Sequence, residues 1–232
     1  MEQIGLLHDG QIYDLQTAEA LNIKGDIIKA DDSKESLEIL RHSCAHMMAQ
    51  AIKELYPEAK FFVGPVVKEG FYYDFKVESK ISDEDLPTIE KKMKEIADRK
   101  LPITRHETTK EEFYEKFKND ELKQAVLKNI KDDTLTIYKQ GDFEDLCRGP
   151  HLPNTRMIRS FKLTRVAGAY LGGDEKNEMI TRIYGIAFFD KQALFDYTKM
   201  IEEAKKRDHR KLGTELELFT FNDDVGAGLP MW

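Results

Sequence analysis

The sequence predicts an α+β fold: a mainly antiparallel sheet packed with helices and followed by a C-terminal helix. Three observations carry that expectation. Strand-like runs and helix-like runs come in mixed order, without the regular alternation that builds a parallel sheet. One segment, 33–55, has a helical apolar stripe of Leu37, Leu40, Cys44, Met47, Met48, Ala51 and Leu55. The Asp9-Gly10 dipeptide within "HDGQIYDL" is a hairpin signal, and a hairpin is an antiparallel pair.

Each element has a local reason. "HDGQIYDL" holds an Asp9-Gly10 turn between alternating residues and predicts a hairpin. Asp32, with Glu35 reaching back, predicts the cap of the helix over 33–55, and Pro57 its end. "FFVGPVV" (61–67) and "GFYYDFKV" (70–77) read as strands. Pro87 suits the first turn of a helix over 85–100, with Leu86, Ile89, Met93 and Ile96 inward. Thr109 and Glu112 form a capping box before Phe113 and Phe117, and "ELKQAVL" reads as another short helix. Strands return at 134–140, 160–166 and 179–189. Asp190 opens a last helix, with Leu194, Phe195, Met200, Ile201 and Ala204 on its apolar side and Gly213 at its end.

Composition excludes several classes. The chain of 232 residues is 41% hydrophobic and 34% charged, ordinary for a globular protein. No apolar run reaches membrane-span length, and "MEQIGLLHDG" is not a secretory signal, so no membrane partner and a cytoplasmic location are expected. Two cysteines cannot build a disulfide framework. A net charge of −7 argues against broad non-specific binding of nucleic acid, though not against a local basic site. The basic cluster is "KKRDHRK", Lys205 to Lys211; on sequence grounds a solvated helix face explains it better than a binding site does. Residues 1–32 read as a short separate piece. The terminal "FTFNDDVGAGLPMW" has no polar tail, which predicts a protein continuing past Trp232.

Two short motifs carry chemistry. His42 and His46 are one helical turn apart, on a second face away from the apolar stripe. "DLCRGPH" places Asp145, Cys147 and His151 around a Gly-Pro pair, hence on a strand end and a tight turn. Each pair alone also fits a solvated helix face or a plain turn. Together they hold three of the six histidines and one of the two cysteines. Neutral imidazole and thiolate are zinc ligands, so His42, His46, Cys147 and His151 have the right types for a His3Cys site assembled by the fold. Cys44 lies on the apolar stripe and reads as core.

These motifs, with "RHSCAHMMAQAIKELYP", "GPVVKEGFYYDF", "DFEDLCRGPHLPNT", "FKLTRVAGAYLGGD", "RIYGIAF" and "EEAKKRDHRKLG" in order, resemble the threonyl-tRNA synthetase family from Ser33 to Trp232. The resemblance implies a shortened N-terminal segment (1–32), an editing domain (33–190), a linker helix (191–213) and the start of a missing class II catalytic domain (214–232). It implies hydrolysis of mischarged seryl-tRNA(Thr) in an enzyme whose missing part ligates threonine to tRNA(Thr) with ATP, magnesium and zinc. It assigns catalytic positions to His42, His46, Lys123, Cys147 and His151, with His42 first for proton transfer or water positioning. Tyr73 and Asp145 become substrate-binding residues. Lys205, Lys206 and Arg207 become contacts to the tRNA. The expected partners are the acceptor end of tRNA(Thr) and the rest of the synthetase in cis, within a homodimer. The resemblance implies editing that requires no metal. Alanyl-type editing proteins share the His/Cys pattern and suggest zinc at the same four residues. Two alternatives stay open: a zinc-dependent deacylase of that type, and a non-catalytic tRNA-binding module with a structural His/Cys site.

Overall fold

A computed structural model describes residues 1–207, Leu212, Leu216, Thr220, Phe221, Pro230 and Met231. The chain divides into two compact units, Met1–Lys191 and Gln192–Trp232. In chain order the first unit holds β1 (Gln3–His8), β2 (Gln11–Asp14), α1 (Leu15–Ala20), β3 (Asp26–Lys29), α2 (Lys34–Leu55), β4 (Lys60–Phe61), β5 (Val66–Val67) and β6 (Gly70–Lys76). It continues with α3 (Leu86–Arg99), β7 (Ile103–Thr109), α4 (Lys110–Lys116), α5 (Glu121–Lys128), β8 (Thr134–Gln140), β9 (Phe143–Leu146), β10 (Ser160–Tyr170) and β11 (Met179–Phe188). The α+β class is as the sequence predicts, and every strand pair is antiparallel.

Three sheets form the first unit: β2-β1-β3, β7-β8-β9, and β10-β11-β6-β4 with β5 also on β6. The Asp9-Gly10 hairpin forms, with both residues at positive φ (49° and 77°), as its two-residue turn requires. The capping box of Thr109 and Glu112 is present, and Pro87 sits in the first turn of α3.

Helix α2 is buried on more than its predicted stripe. Ile39, Ala45, Ala49 and Ile52 are as inaccessible as Leu40, Cys44, Met47, Met48 and Ala51, all at 0% exposure. Its core companions come from both sides: Phe71, Phe75 and Ile183 of the large sheet, Met93 and Ile96 of α3, and Ile4 and Ile28 of the N-terminal sheet. Residues 1–30 thus share the core of the elements that follow.

Four sequence expectations change. The strand expected over 61–67 is two short pieces, β4 and β5, with residues 62–65 in neither. Asp32 does not cap α2. Ser33 is the N-cap residue, without a side-chain bond, and the Asp32 carboxylate accepts from the backbone N–H of Phe189 (2.7 Å) and Asp190 (3.3 Å). The Asp32 carboxylate is thereby committed to the chain just past β11 and is not available to the first turn of α2. Strand β7 was not expected; "ITRHETT" is largely polar because it is an edge strand, half exposed along its length. Strand β10 runs four residues past its expected end, paired with β11 as far as Tyr170↔Met179.

The second unit holds most of α6 (Lys191–Lys206), in which Phe195 and Met200 are exposed. Its strands β12 (Thr220–Phe221) and β13 (Pro230–Met231) pair antiparallel. The expected stop at Gly213 lies outside the described residues, and α6 is followed as far as Lys206. No helix among the described residues is long and apolar enough to cross a membrane.

Candidate active site

The two motifs meet. In α2, His42 and His46 stand one turn apart with ring centroids 5.3 Å from each other. The turn after β9 brings His151 to 4.4 Å from His42 and 4.3 Å from His46, centroid to centroid. Cys147 Sγ lies 3.1 Å from His42 Nε2 and 3.2 Å from His151 Nε2. One donor atom from each of the four residues falls within 4.8 Å of every other.

Local structure explains the convergence. Alternation along β9 sends Phe143 and Asp145 inward and Glu144 and Leu146 outward, and Cys147 continues the inward set. The Cys147 N–H still bonds to Thr136 O (3.0 Å), which keeps it on the sheet. The chain then turns through Gly149, at φ 77°, and a cis Gly149-Pro150 bond. A side chain at Gly149 would lie 2.6 Å from the Tyr138 hydroxyl and 2.7 Å from Asp14 Oδ2, so the position takes only glycine. The Gly149 N–H donates to Cys147 Sγ (3.2 Å).

A second group adjoins the cluster. Asp145 forms a buried ion pair with Lys123 of α5 and accepts a hydrogen bond from the Tyr73 hydroxyl. The Leu146 N–H adds a third donor at 2.7 Å. Lys123 is placed by the cap of α5, where Asp120 accepts from the N–H groups of Leu122 and Lys123 at 3.1 Å. Tyr73 comes from the inward row of β6 and is 1% exposed. Its ring centroid stands 6.1 Å from that of His46, which joins the two groups into one site.

Electrostatics fixes the protonation states. Burial lowers the pKa of His42 to about 4, against partial support from the Pro150 backbone and the charges of Asp14 and Asp145. Burial, with repulsion from His42, lowers His46 to about 3. His151 is lowered well below its ordinary value by burial and by the other two imidazoles. Burial and Asp145 raise Tyr73 well above its ordinary range. The Cys147 thiol is pushed up by burial, against the Gly149 N–H. At neutral pH the site therefore holds three neutral imidazoles, a thiol, a phenol and one internal ion pair.

The hydrogen bonds also select a tautomer. Ser43 Oγ donates its one proton to Ile39 O (2.9 Å) and accepts from the Leu152 N–H (2.8 Å). Toward His151 Nδ1, at 3.3 Å, it must then accept. That leaves the proton of His151 on Nδ1 and turns the Nε2 lone pair toward Cys147. An outer hydrogen bond that frees the inner nitrogen is the usual support of a histidine ligand. The donor set thus fits a zinc ion, and the same separations serve a hydrogen-bonded cluster without one.

The structure brings together all seven residues expected at the site: His42, His46, Tyr73, Lys123, Asp145, Cys147 and His151. Of the basic residues read as RNA contacts, Lys206 and Arg207 are exposed, and Arg207 is 3.7 Å from Glu203. Lys205 is described only as part of the α6 backbone. Sequence reasoning missed Asp14, Ser43 and Tyr138, each bonded within the site. Asp14 had a signal, being an N-cap type ahead of "LQTAEA", but its burial could not be read.

Comparison with known proteins places this architecture in a class. Residues 135–184, which hold Asp145, Cys147 and His151, match the family described as the threonyl and alanyl tRNA synthetase second additional domain. Over 231 residues the chain is 66% identical to a threonine–tRNA ligase of Campylobacter jejuni and 65% identical to one of Helicobacter hepaticus, each match covering all of this chain and 38% of the relative. A threonine–tRNA ligase of Campylobacter lari is 71% identical over 202 residues, or 87% of this chain and 34% of the relative. The chain belongs to the threonyl-tRNA synthetase family and spans under two fifths of the length of these relatives.

Proposed function

We propose that this chain is the proofreading region of a threonyl-tRNA synthetase and hydrolyses the ester joining serine to tRNA(Thr). The observation that carries the reading is the meeting of His42, His46, Cys147 and His151 with Tyr73, Asp145 and Lys123 in one buried site. A synthetic pocket built for threonine gains only about 1–3 kcal/mol from the methyl that serine lacks, so a second site must remove the error.

In the proposed reaction a water oxygen bonds to the ester carbonyl carbon. The bond to the ribose oxygen breaks, and that oxygen takes a proton, giving serine and free tRNA. Neutral His42 orients the water and accepts its proton; its lowered pKa keeps it neutral for that role. The seryl ammonium takes the place of the Lys123 ammonium at Asp145, so the buried carboxylate stays paired. Lys123, released toward the carbonyl, stabilises the oxyanion and can protonate the leaving oxygen. Tyr73 holds Asp145 and contacts the seryl group or the terminal nucleotide.

The reaction needs no metal in this reading. The second reading, a zinc-dependent deacylase, is favoured by the His3Cys donor set and the tautomer of His151. His42, His46, Cys147 and His151 would then hold the ion, which when bound would acidify the attacking water. The parent enzyme would ligate threonine to tRNA(Thr) with ATP and magnesium, through a zinc-bearing catalytic domain, as a cytoplasmic homodimer. Lys205, Lys206 and Arg207 would add contacts to the tRNA.

Single-turnover hydrolysis of seryl- against threonyl-tRNA(Thr), with and without chelator, tests the readings. Turnover of the seryl ester alone, unaffected by chelator, supports the metal-free reaction. Loss on chelation supports zinc. Binding of tRNA without turnover assigns the cluster a structural role.

A further inference from the structure

We propose that Asp14 is a positioning residue of this site, through which the N-terminal sheet sets the geometry of the Cys147–His151 turn. Asp14 ends β2 and caps α1, where Oδ1 accepts from the Thr17 N–H (2.8 Å). A helix cap needs only that one bond, and its second oxygen is ordinarily left to water. Here the residue is 1% exposed and the second oxygen is fully engaged. Asp14 Oδ2 accepts from the Tyr138 hydroxyl at 2.6 Å and from the backbone N–H of His151 at 3.0 Å.

Both partners bear on the same imidazole. The first belongs to the ring packed against it, with the Tyr138 and His151 centroids 4.4 Å apart. The second is the residue's own backbone. The Tyr138 proton goes to Asp14, so the hydroxyl accepts from Thr17 Oγ1 at 3.0 Å. Gln16 fastens the start of α1 to the edge strand β7, donating to Ile103 O (2.6 Å) and accepting from the Arg105 N–H (2.7 Å). Residues 14–17 thus form a clamp across β7, β8 and the turn. His151 is held from two directions, by Ser43 on the ring and by Asp14 on the backbone. Without Asp14 the backbone hold is gone and a buried amide is left without its acceptor.

The rate arm of the test rests on the proofreading reading; the spectroscopic arm does not. The whole chain is prepared as wild type, Asp14→Ala, Asp14→Asn and the exposed control Asp26→Ala. Hydrogen exchange at the His151 amide, the imidazole NMR signals of His151 against those of His8 and His106, and the single-turnover rate and tRNA affinity are measured. Asp14→Ala is expected to speed exchange at the His151 amide about tenfold or more and to move its imidazole signals, leaving those of His8 and His106 in place. The hydrolytic rate should fall about tenfold to a hundredfold with affinity kept within about twofold, the cost of a misplaced group rather than a lost one. Asp14→Asn, which keeps an acceptor oxygen, should restore most of the rate and the protection, and Asp26→Ala should match wild type. Unchanged exchange and imidazole signals in Asp14→Ala overturn the proposal, as does a loss confined to tRNA affinity. If Asp14→Ala does not fold, Asp14→Asn decides: shifted His151 signals with an intermediate rate support it, and signals and rate identical to wild type overturn it. If the wild-type chain hydrolyses no ester, the proofreading reading fails, and exchange and imidazole signals alone settle the role of Asp14.

Discussion

Replacing Lys123 with methionine keeps most of the side-chain volume and removes its charge. Its partner Asp145 then stays at 2% exposure without a cation. Breaking a buried ion pair from one side costs about 3–5 kcal/mol, since the abandoned charge has lost its hydration as well as its partner. Asp145 keeps two neutral donors, the Tyr73 hydroxyl and the Leu146 N–H, which places the expected loss near the lower bound, about 3 kcal/mol. Asp145→Asn alone strands the ammonium instead and should cost a similar amount. The double variant removes both charges, so it should be more stable than the sum of the single losses implies by about 2 kcal/mol or more. Urea unfolding of the four proteins at pH 7, followed by far-UV circular dichroism, measures the coupling. Losses that simply add, or a Lys123→Met cost under about 1 kcal/mol, would show that the pair is not held dry, and the ammonium exchange proposed for the reaction would lose its basis.

Other expectations follow from the same site. His42→Ala should lower single-turnover hydrolysis of seryl-tRNA(Thr) by about 10²–10⁴-fold with tRNA affinity preserved, and a rate within a few-fold of wild type would remove His42 from the chemistry. The three imidazoles have pKa values lowered by burial, so on acidification the unfolded chain takes up protons that the folded chain refuses. Their contribution to stability is complete above about pH 6.5 and is lost as the pH falls, until His42 protonates in the folded chain at about 4 and His46 at about 3, with a slope approaching about 4 kcal/mol per pH unit for three protons. A urea midpoint that stays flat between pH 7 and pH 5 would contradict the burial of the cluster. Substituting zinc by cobalt should give visible absorption with a thiolate charge-transfer band if the four residues bind a metal, and Cys147→Ser should abolish that band. Changing Lys205, Lys206 and Arg207 together to alanine should weaken tRNA binding and reduce its salt slope; an unchanged slope would leave these residues as a solvated face.

The parts of this architecture legible in the sequence are those set by local pattern. The stripe of α2, the Asp9-Gly10 hairpin, the Thr109–Glu112 box and the turn at Gly149 each depend on neighbours in the chain. What stayed hidden depends on distant packing. Strand β7 is polar because it lies at an edge, and a polar strand has no period to detect. Asp32 has the form of a cap, yet it serves amides 157 and 158 residues away. Within the site, the motif residues could be named from their chemistry and family resemblance. Tyr138 and Ser43 could not, because a tyrosine in a strand and a serine in a helix are ordinary until a partner is known.

The inward row of Phe143, Asp145 and Cys147 ties chemistry to sheet register. Sliding β9 one position along β8 would present Glu144 and Leu146 to the histidines and turn the acid and the thiol to the opposite face, toward the cluster of Phe113, Leu127, Leu135 and Ile137. Pairing errors during folding would therefore yield a chain with the correct helices and an inert pocket. If the proposed hydrolysis holds, its rate would report directly on whether one short edge strand has found its place.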